Sequence, residues 1–591
     1  MKLSVAGIIA VAVIATLIDP FRVWTSLGDT DDATRLLQVR ALLNGQNWFD
    51  LTIMQFGMNE PLISHWSRLV DAPLAVLLAL AEMALPPRHA DSVVRWFWPF
   101  VPLFALMWVV LSVVVRQSGV AGGLLAMVLI ATSQIATFQF FPGRIDHHNL
   151  QILGVCSGAL LLFNGMQGVR RHAVFAGALL GMAVAIGSEA LPLAVAILVL
   201  ALLVAVWDAR QTAVARDAAV SCSLIVSVAF LVTVTPANWA VVACDALGAN
   251  LVAFALVGAA TTVVMNTEMV RQTFVGRLAT AGVGAAIAVG CFGAIAPVCL
   301  GGPMAQIDPE IVPIWIDQIT EAQSLFDLTA SRLPLVIAYV TTVGLALWLL
   351  WQHWLTMRGS GVMFAFGVMV IAGIYGSIFV KLMPYAMWLS LPVIACAVAR
   401  LGSAGQLPAR TVRILAAGLL SHPIQMAFVG SIIAVLVAIG AMDQPRAVVA
   451  QAENCLVRDD LQKLAALPAG LVIGDIDLGP HIAAHTNHRV VSAPYHRMAH
   501  GIKTWHRISH MPPTAAVAEI KRLKVDYVVL CGTDTGQATD TAHQPQQTIR
   551  PASLPSAAFA EHLRQTGGIS GLTAVNLGTM TGALRIWRVK Q

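Results

Sequence analysis

The chain has 591 residues, of which 57% are hydrophobic and 11% charged, with mean hydropathy +0.75 and formal net charge +5. A soluble domain carries about 25% charged residues, so an ordinary cytosolic enzyme is excluded. So is a disordered chain, which needs low hydrophobicity and high net charge. The small positive charge argues against a nucleic-acid binder, which leaves a polytopic α-helical membrane protein.

Residues 1–20 begin with Lys2 and an apolar run. No A-x-A-like site follows, so a retained signal-anchor helix is expected rather than a cleaved signal peptide. Residues 21–95 are polar and rich in Trp, Asp and Arg. They read as a long first external loop with short helices at 32–44 and 67–84. Apolar runs of span length follow at 97–116, 119–140, 149–167, 173–188, 190–207, 218–236, 247–265, 279–299, 333–352, 361–380, 383–399 and 414–441. With the first, that makes about thirteen spans. Arg116, Arg170, Arg171, Arg210, Arg216, Arg271, Arg277, Arg358, Arg400, Arg410 and Arg413 fall in every second loop. The alternate loops collect Asp29, Asp31, Asp32, Asp146, Glu189, Asp308, Glu310, Asp317 and Glu321. By the positive-inside rule the acidic loops are external.

Residues 1–442 thus form the membrane region, with a further external loop at 300–332. The remainder, 443–591, holds 15 Lys and Arg, 11 Asp and Glu, and nine of the 16 histidines. That composition suits a soluble domain. Thr514 as a cap, helix over 515–523 and strand over 525–530 indicate a small α/β domain. An odd number of spans puts it outside, in the periplasm of a Gram-negative host, with the chain in the inner membrane. There Cys455 and Cys531 are candidates for a disulfide. Cys156, Cys222, Cys291 and Cys396 lie in apolar runs as small core residues.

Three external segments carry chemistry. In Gly28-Asp29-Thr30-Asp31-Asp32, three carboxylates within four residues beside a membrane are costly unless they bind a cation. The alternative is a solvated loop with Asp32 capping the next helix. In Gly143-Arg144-Ile145-Asp146-His147-His148, an extended backbone would aim Asp146 and His148 to one side, as a divalent cation requires. The alternative makes Asp146 a helix cap. In Gln318-Ile319-Thr320-Glu321, the acid is either catalytic or solvated surface. Lys381, four residues before Tyr385, sits at an external helix end. It either snorkels to lipid phosphate or binds a phosphorylated substrate. Seven histidines lie between His481 and His510 without an H-E-x-x-H pattern. A helix continuous across Pro480 and Pro494 is not expected, so a strand and loop near the active face competes with a zinc site.

Taken together and in order, these segments resemble the catalytic subunit of oligosaccharyltransferases, membrane glycosyltransferases of the GT-C class. The likeness spans most of the chain in plan and only short motifs in residues. Asp29-Thr30 through Arg35-Leu36 resembles the family's D-T-x-x-x-x-R-L, which implies that Asp29 binds metal and acceptor. Gly143 through His148 resembles G-x-x-D-x-D/E/H, which implies Asp146 and His148 as metal ligands, suited to Mg²⁺ or Mn²⁺. Glu321 stands for the Glu of T-I-x-E. Lys381 stands where the family has an Arg for the lipid phosphate, with Tyr385 kept. Asp477-Leu478-Gly479 aligns with the end of W-W-D-Y-G, but Asp475 and Ile476 replace the Trp pair, which puts Asn-X-Ser/Thr recognition in doubt.

The resemblance implies a metal-dependent, inverting transfer of a sugar or oligosaccharide. The donor would be a polyprenyl-(di)phosphate and the acceptor an extracytoplasmic protein, lipid or polysaccharide. Asp29 and Glu321 would be catalytic, and Lys381 and Tyr385 would hold the donor phosphate. Asp477, Gly479, His496 and Arg497 would face the acceptor. Two other functions fit the same composition. A transporter or flippase of lipid-linked glycans requires charges inside mid-membrane spans, where this chain has few. A non-catalytic envelope-assembly protein would carry the tail as a binding domain.

Overall fold

The computed structural model describes residues 22–328, 332–402, 404–439, 441, 455–532, 558–577 and 583–590. The signal-anchor at 1–20 and the Gln/Thr/Pro-rich stretch 536–556 therefore lie outside the described residues.

Among the described residues, eight helical stretches are long and apolar enough to cross a membrane. A ninth is possible if Ala409–Leu420 and His422–Ala438, bent by 56° at their junction, act as one. Arg171–Ile186 and Ala249–Met265 are shorter apolar helices. Each internal apolar run read from the sequence falls on one of these elements. Two runs are joined differently, because 97–116 and 119–140 share one helix, Phe100–Ala131, broken at Gly119 with φ 70°. The second run also stops short. Ser133 leaves the helix to cap a new turn and meets His422 Nδ1 at 3.0 Å. Small residues allow close packing between helices, as in other membrane bundles. A Cβ on Gly177 would come within 1.9 Å of the Ala218 carbonyl oxygen.

The first external loop contains helices Thr30–Leu43, Arg68–Glu82 and Pro87–Phe97. A small antiparallel hairpin, β1 (Thr52–Ile53) and β2 (Leu62–Ile63), separates the first two. Arg35 is fully buried, 2.5 Å from Asp71, and its guanidinium stacks over Trp66 at 4.6 Å. Arg68 holds the other Asp71 oxygen at 3.0 Å. The arginine of the first motif therefore fixes the loop from beneath.

The C-terminal part is a five-stranded sheet ordered β4-β3-β5-β7-β6. Its strands are β3 (Leu471–Gly474), β4 (Arg489–Val490), β5 (Tyr527–Cys531), β6 (Leu572–Ala574) and β7 (Leu584–Val589). The first three run parallel, and β7 is antiparallel to both β5 and β6. Helices Ala499–His510 and Pro513–Arg522 precede β5. One face of this sheet is completed by Ile53, Phe56, Leu62 and Trp66 from the first loop. The Val490 N–H donates to the Gln55 carbonyl at 2.8 Å, and the Gly57 N–H donates to the Val490 carbonyl at 2.9 Å. The boundary near residue 443 is thus not a boundary of the core, because loop and tail share one.

Cys455 and Cys531 are paired in a disulfide. A second disulfide, Cys244–Cys299, ties the loop after helix Thr212–Thr233 to the start of the loop that carries Glu321.

Candidate functional site

Asp29 is the N-cap of helix Thr30–Leu43, its Oδ1 accepting the Asp31 and Asp32 N–H groups at 3.0 Å. Asp32 returns the interaction to the cap backbone, the reciprocal arrangement of a capping box. The cap is thus Asp29, where the sequence suggested Asp32. Asp32 is fully buried and turns to the second motif, its Oδ1 accepting the N–H groups of Ile145 at 2.7 Å and Asp146 at 3.2 Å.

The second motif reaches its geometry by a turn, not by an extended segment. Gly143 has φ 101°, a conformation a side chain disfavours. Helix His148–Met166 begins directly afterwards. Asp146 Oδ1 accepts the His148 N–H at 3.0 Å, and its Oδ2 lies 3.2 Å from His148 Nδ1. Asp146, one residue before the His147 N-cap, therefore accepts the first N–H of the helix and also faces the imidazole.

Arg144 is buried among these carboxylates. It pairs with Asp29, with Asp32 at 3.2 Å and with Asp146 at 2.5 Å. Burial pushes the Asp146 carboxyl up, but Arg144 and His148 outweigh it and hold it well below the usual carboxylate range. Asp32 goes the other way, raised by burial and by the Asp146 charge. Asp31 is raised to about 7 by burial, with Asp146, Glu321 and Glu189 adding and His148 opposing. Burial and the neighbouring His148 push the His147 imidazole down.

Three groups of ligand-type atoms form here, each within 4.8 Å of one another: Asp31 with Asp146 and His148, Asp29 with Asp32 and Asp146, and His147 with His148 and Glu189. The sequence reading grouped Asp29 with Asp146 and His148. The structure instead puts Asp31 beside that pair, because Asp29 is turned onto the helix end and Arg144. Two carboxylates and an imidazole are a hard donor set with one nitrogen, which fits a divalent cation.

Lys381 lies beside this centre, its Nζ 2.6 Å from Glu189. Glu189 also meets His148 Nε2 at 3.0 Å. Tyr385 is buried on helix Met383–Ala399. Glu321 is exposed in a short turn, Thr320–Ala322, that packs on the turn bearing Lys381. The Val380 N–H donates to the Gln323 carbonyl at 3.0 Å between these turns. Glu321 belongs to none of the three groups.

The tail contributes Tyr495, whose hydroxyl lies 2.6 Å from Thr34 Oγ1 and 3.2 Å from Asp31 Oδ1. Gly479 is buried, and a Cβ there would sit 2.2 Å from the Ser492 carbonyl oxygen. It serves close packing and offers no surface to an acceptor. Asp477 precedes helix Leu478–His485. Its neighbour Ile476 packs against the cluster that Ile311 and Trp315 of the Glu321 loop form with Ile502 of the tail.

His496 and Arg497 are turned onto Asp245, which the sequence reading did not single out. Arg497 Nε and Nη2 each lie 2.7 Å from a different Asp245 oxygen, and His496 Nε2 is 2.7 Å from Oδ2. The His65 and His496 rings lie with centroids 4.8 Å apart, tilted by 53°. Burial and the His496 neighbour push His65 down to about 3. His65, Asp245 and His496 have metal-ligand atoms in reach of one another. The bidentate Arg497, however, already meets the carboxylate charge, so this cluster is a clamp between tail and loops.

No protein-family model matches the chain, and no curated protein matches it in sequence. Solved structures do match it in fold, and they are GT-C glycosyltransferases. The oligosaccharyltransferase AglB of the archaeon Archaeoglobus fulgidus, in complex with an inhibitory peptide and a dolichol-phosphate, aligns with TM-score 0.68 and 12% identity. That alignment covers 99% of this chain and 88% of the other. The A. fulgidus oligosaccharyltransferase tethered to an acceptor peptide with an NVT sequon gives 0.61 and 13%, over 99% and 88%. The same enzyme with Zn and sulfate gives 0.57 and 12%, over 89% and 67%. This chain therefore has the GT-C fold of that enzyme.

Proposed function

We propose that the protein is a membrane glycosyltransferase of oligosaccharyltransferase type. It moves a sugar or oligosaccharide from a polyprenyl-(di)phosphate to an extracytoplasmic protein, lipid or polysaccharide acceptor. The observation that carries this reading is the cluster of Asp31, Asp146 and His148 beside Lys381, in a fold shared with a lipid-linked glycan transferase. The arrangement of thirteen spans, with loops and tail in the periplasm, goes with it.

In this reading Asp31, Asp146 and His148 hold Mg²⁺ or Mn²⁺, and Zn in a fold neighbour supports a cation there. The bound cation supplies positive charge against the phosphate that leaves. Lys381 contributes a second point charge to that phosphate, and buried Tyr385 shapes the wall behind it. Glu321 is exposed, its turn packs on the one bearing Lys381, and its charge is felt at Asp31, so it would accept a hydrogen bond from the acceptor nucleophile. Asp29, tied to the helix end and Arg144, acts by holding the first motif in place. The nucleophile attacks the anomeric carbon as the bond to phosphate oxygen breaks, a single displacement that inverts the centre. Asp477 and the Ile476 contact with the Glu321 loop place the acceptor between tail and loop. His496 and Arg497 act there through Asp245.

Purified protein with a radiolabelled polyprenyl-diphosphate sugar and Mn²⁺ is expected to transfer the label. EDTA and Asp146→Asn are each expected to abolish transfer. Transfer indifferent to EDTA would sink the cation-centred mechanism. No transfer from any polyprenyl-linked sugar would sink the glycosyltransferase reading itself.

A further inference from the structure

Glu189 belongs to none of the motifs, yet three side chains of the site, Lys381, His148 and His147, converge on it. It lies in the short turn Ser188–Ala190 that leads into helix Leu191–Trp207. The Gln151 side chain donates to the Gly187 carbonyl at 3.2 Å and holds that turn against helix His148–Met166.

The two oxygens of Glu189 are divided. Oε1 takes Lys381 Nζ at 2.6 Å. Oε2 faces His148 Nε2 at 3.0 Å and His147 Nε2 at 3.6 Å. The two imidazoles stack with centroids 4.4 Å apart. His148 is divided in the same way, with Nδ1 toward Asp146 at 3.2 Å and Nε2 toward Glu189. A ligating imidazole whose second nitrogen is held by a carboxylate has its ring orientation and tautomer fixed, and its basicity raised. The same carboxylate holds the lysine next to the donor phosphate.

We propose that Glu189 is a positioning residue that joins the cation site to the donor-phosphate site, orienting His148 through one oxygen and Lys381 through the other. The inference rests on the glycosyltransferase reading above and adds one element to it. Occupation of one site should then be felt at the other through a single side chain. A carboxylate that only filled space at the helix start would show no such link.

Glu189→Gln keeps the shape and removes the charge. Two binding measurements on the full-length protein in detergent test it, using Mn²⁺ alone by electron paramagnetic resonance and a short-chain polyprenyl phosphate alone. Mn²⁺ affinity is expected to fall 10- to 100-fold, the range for loss of such an outer partner. Polyprenyl phosphate affinity is expected to fall in Glu189→Gln and in Lys381→Gln, with the double variant no weaker than the poorer single. That non-additivity marks action through one lysine. Glu189→Asp, which keeps the charge, is expected to recover part of the Mn²⁺ affinity. Mn²⁺ binding within twofold of wild type in Glu189→Gln, or additive losses in the double variant, would overturn the proposal. Wild-type protein that binds Mn²⁺ and transfers sugar while Glu189→Gln is unaffected refutes this inference alone. Wild-type protein that does neither refutes the reading beneath it.

Discussion

The raised carboxyl of Asp31 makes cation binding depend on pH in a defined direction. Its pKa moves from 3.8 to about 7, chiefly through burial, with Asp146, Glu321 and Glu189 adding to the rise. A cation displaces the proton from a carboxylate ligand, so affinity follows the ionised fraction. That fraction is about one-tenth at pH 6 and about nine-tenths at pH 8, so apparent Mn²⁺ affinity should rise roughly tenfold between them, about 1.4 kcal/mol. Stability of the cation-free protein runs the other way. The folded state holds the Asp31 proton more tightly than the unfolded chain does. Raising pH from about 4 to 7 therefore destabilises the fold in EDTA, and Mn²⁺ should reverse that loss. The assay is Mn²⁺ titration by electron paramagnetic resonance at pH 6, 7 and 8, for wild type and Asp31→Asn. Any slope from His148 appears in both proteins, and the difference isolates Asp31. Equal slopes, or a wild-type affinity flat across the range, would refute the placement of Asp31 in the cation site.

Three further outcomes follow from the geometry. Arg144→Met strips the counter-charge from half-buried Asp29 and from buried Asp32 and Asp146. It should destabilise the protein by about 3–5 kcal/mol, read as a lowered thermal transition in detergent that Mn²⁺ partly restores; an unchanged transition counts against the cluster. Arg497→Met should loosen the tail from Asp245 and speed proteolysis within 455–532 while Mn²⁺ affinity stays within twofold; unchanged proteolysis removes the clamp. Cysteine placed at position 321 should react with an impermeant reagent from outside and cysteine at 210 should not, and the reverse pattern breaks the topology.

What was legible in the sequence was mostly local. Asp146 and His148 are two residues apart and converge within one helix start, so their spacing carried the information. The first-loop helices, read at 32–44 and 67–84, appear at Thr30–Leu43 and Arg68–Glu82, because their apolar residues repeat at helical spacing. Which aspartate faces the imidazole was not legible. Asp29 and Asp31 differ only in whether the side chain turns back on the helix end, a choice set by cap geometry and Arg144. Glu189, Asp245 and Tyr495 reach the site from 41 to 465 residues away from the groups they meet, and no local pattern marks them. The Cys244–Cys299 pair, 55 residues apart, was hidden for the same reason. The shared core of loop and tail also left no trace, since Ile53, Phe56 and Leu62 read simply as a loop's apolar residues.

The charge inventory of the centre favours a dication over a purely structural role. Buried Asp32 and Asp146 and half-buried Asp29, Asp31 and Glu189 bring carboxylates into one region, and among the charge partners described above Arg144 and Lys381 are the permanent cations. If the acids served only to hold the loops together, each would be matched and would titrate low, as Asp146 does beside Arg144. Asp31 and Asp32 are instead raised, chiefly by burial, with the Asp146 charge adding to it. Such groups lower their free energy by keeping a proton or by gaining a cation. A protonated pair would satisfy folding but would leave a carboxylic acid facing the leaving phosphate, where positive charge is needed. In the reading proposed above, a divalent ion between Asp31, Asp146 and His148 would meet both demands at once.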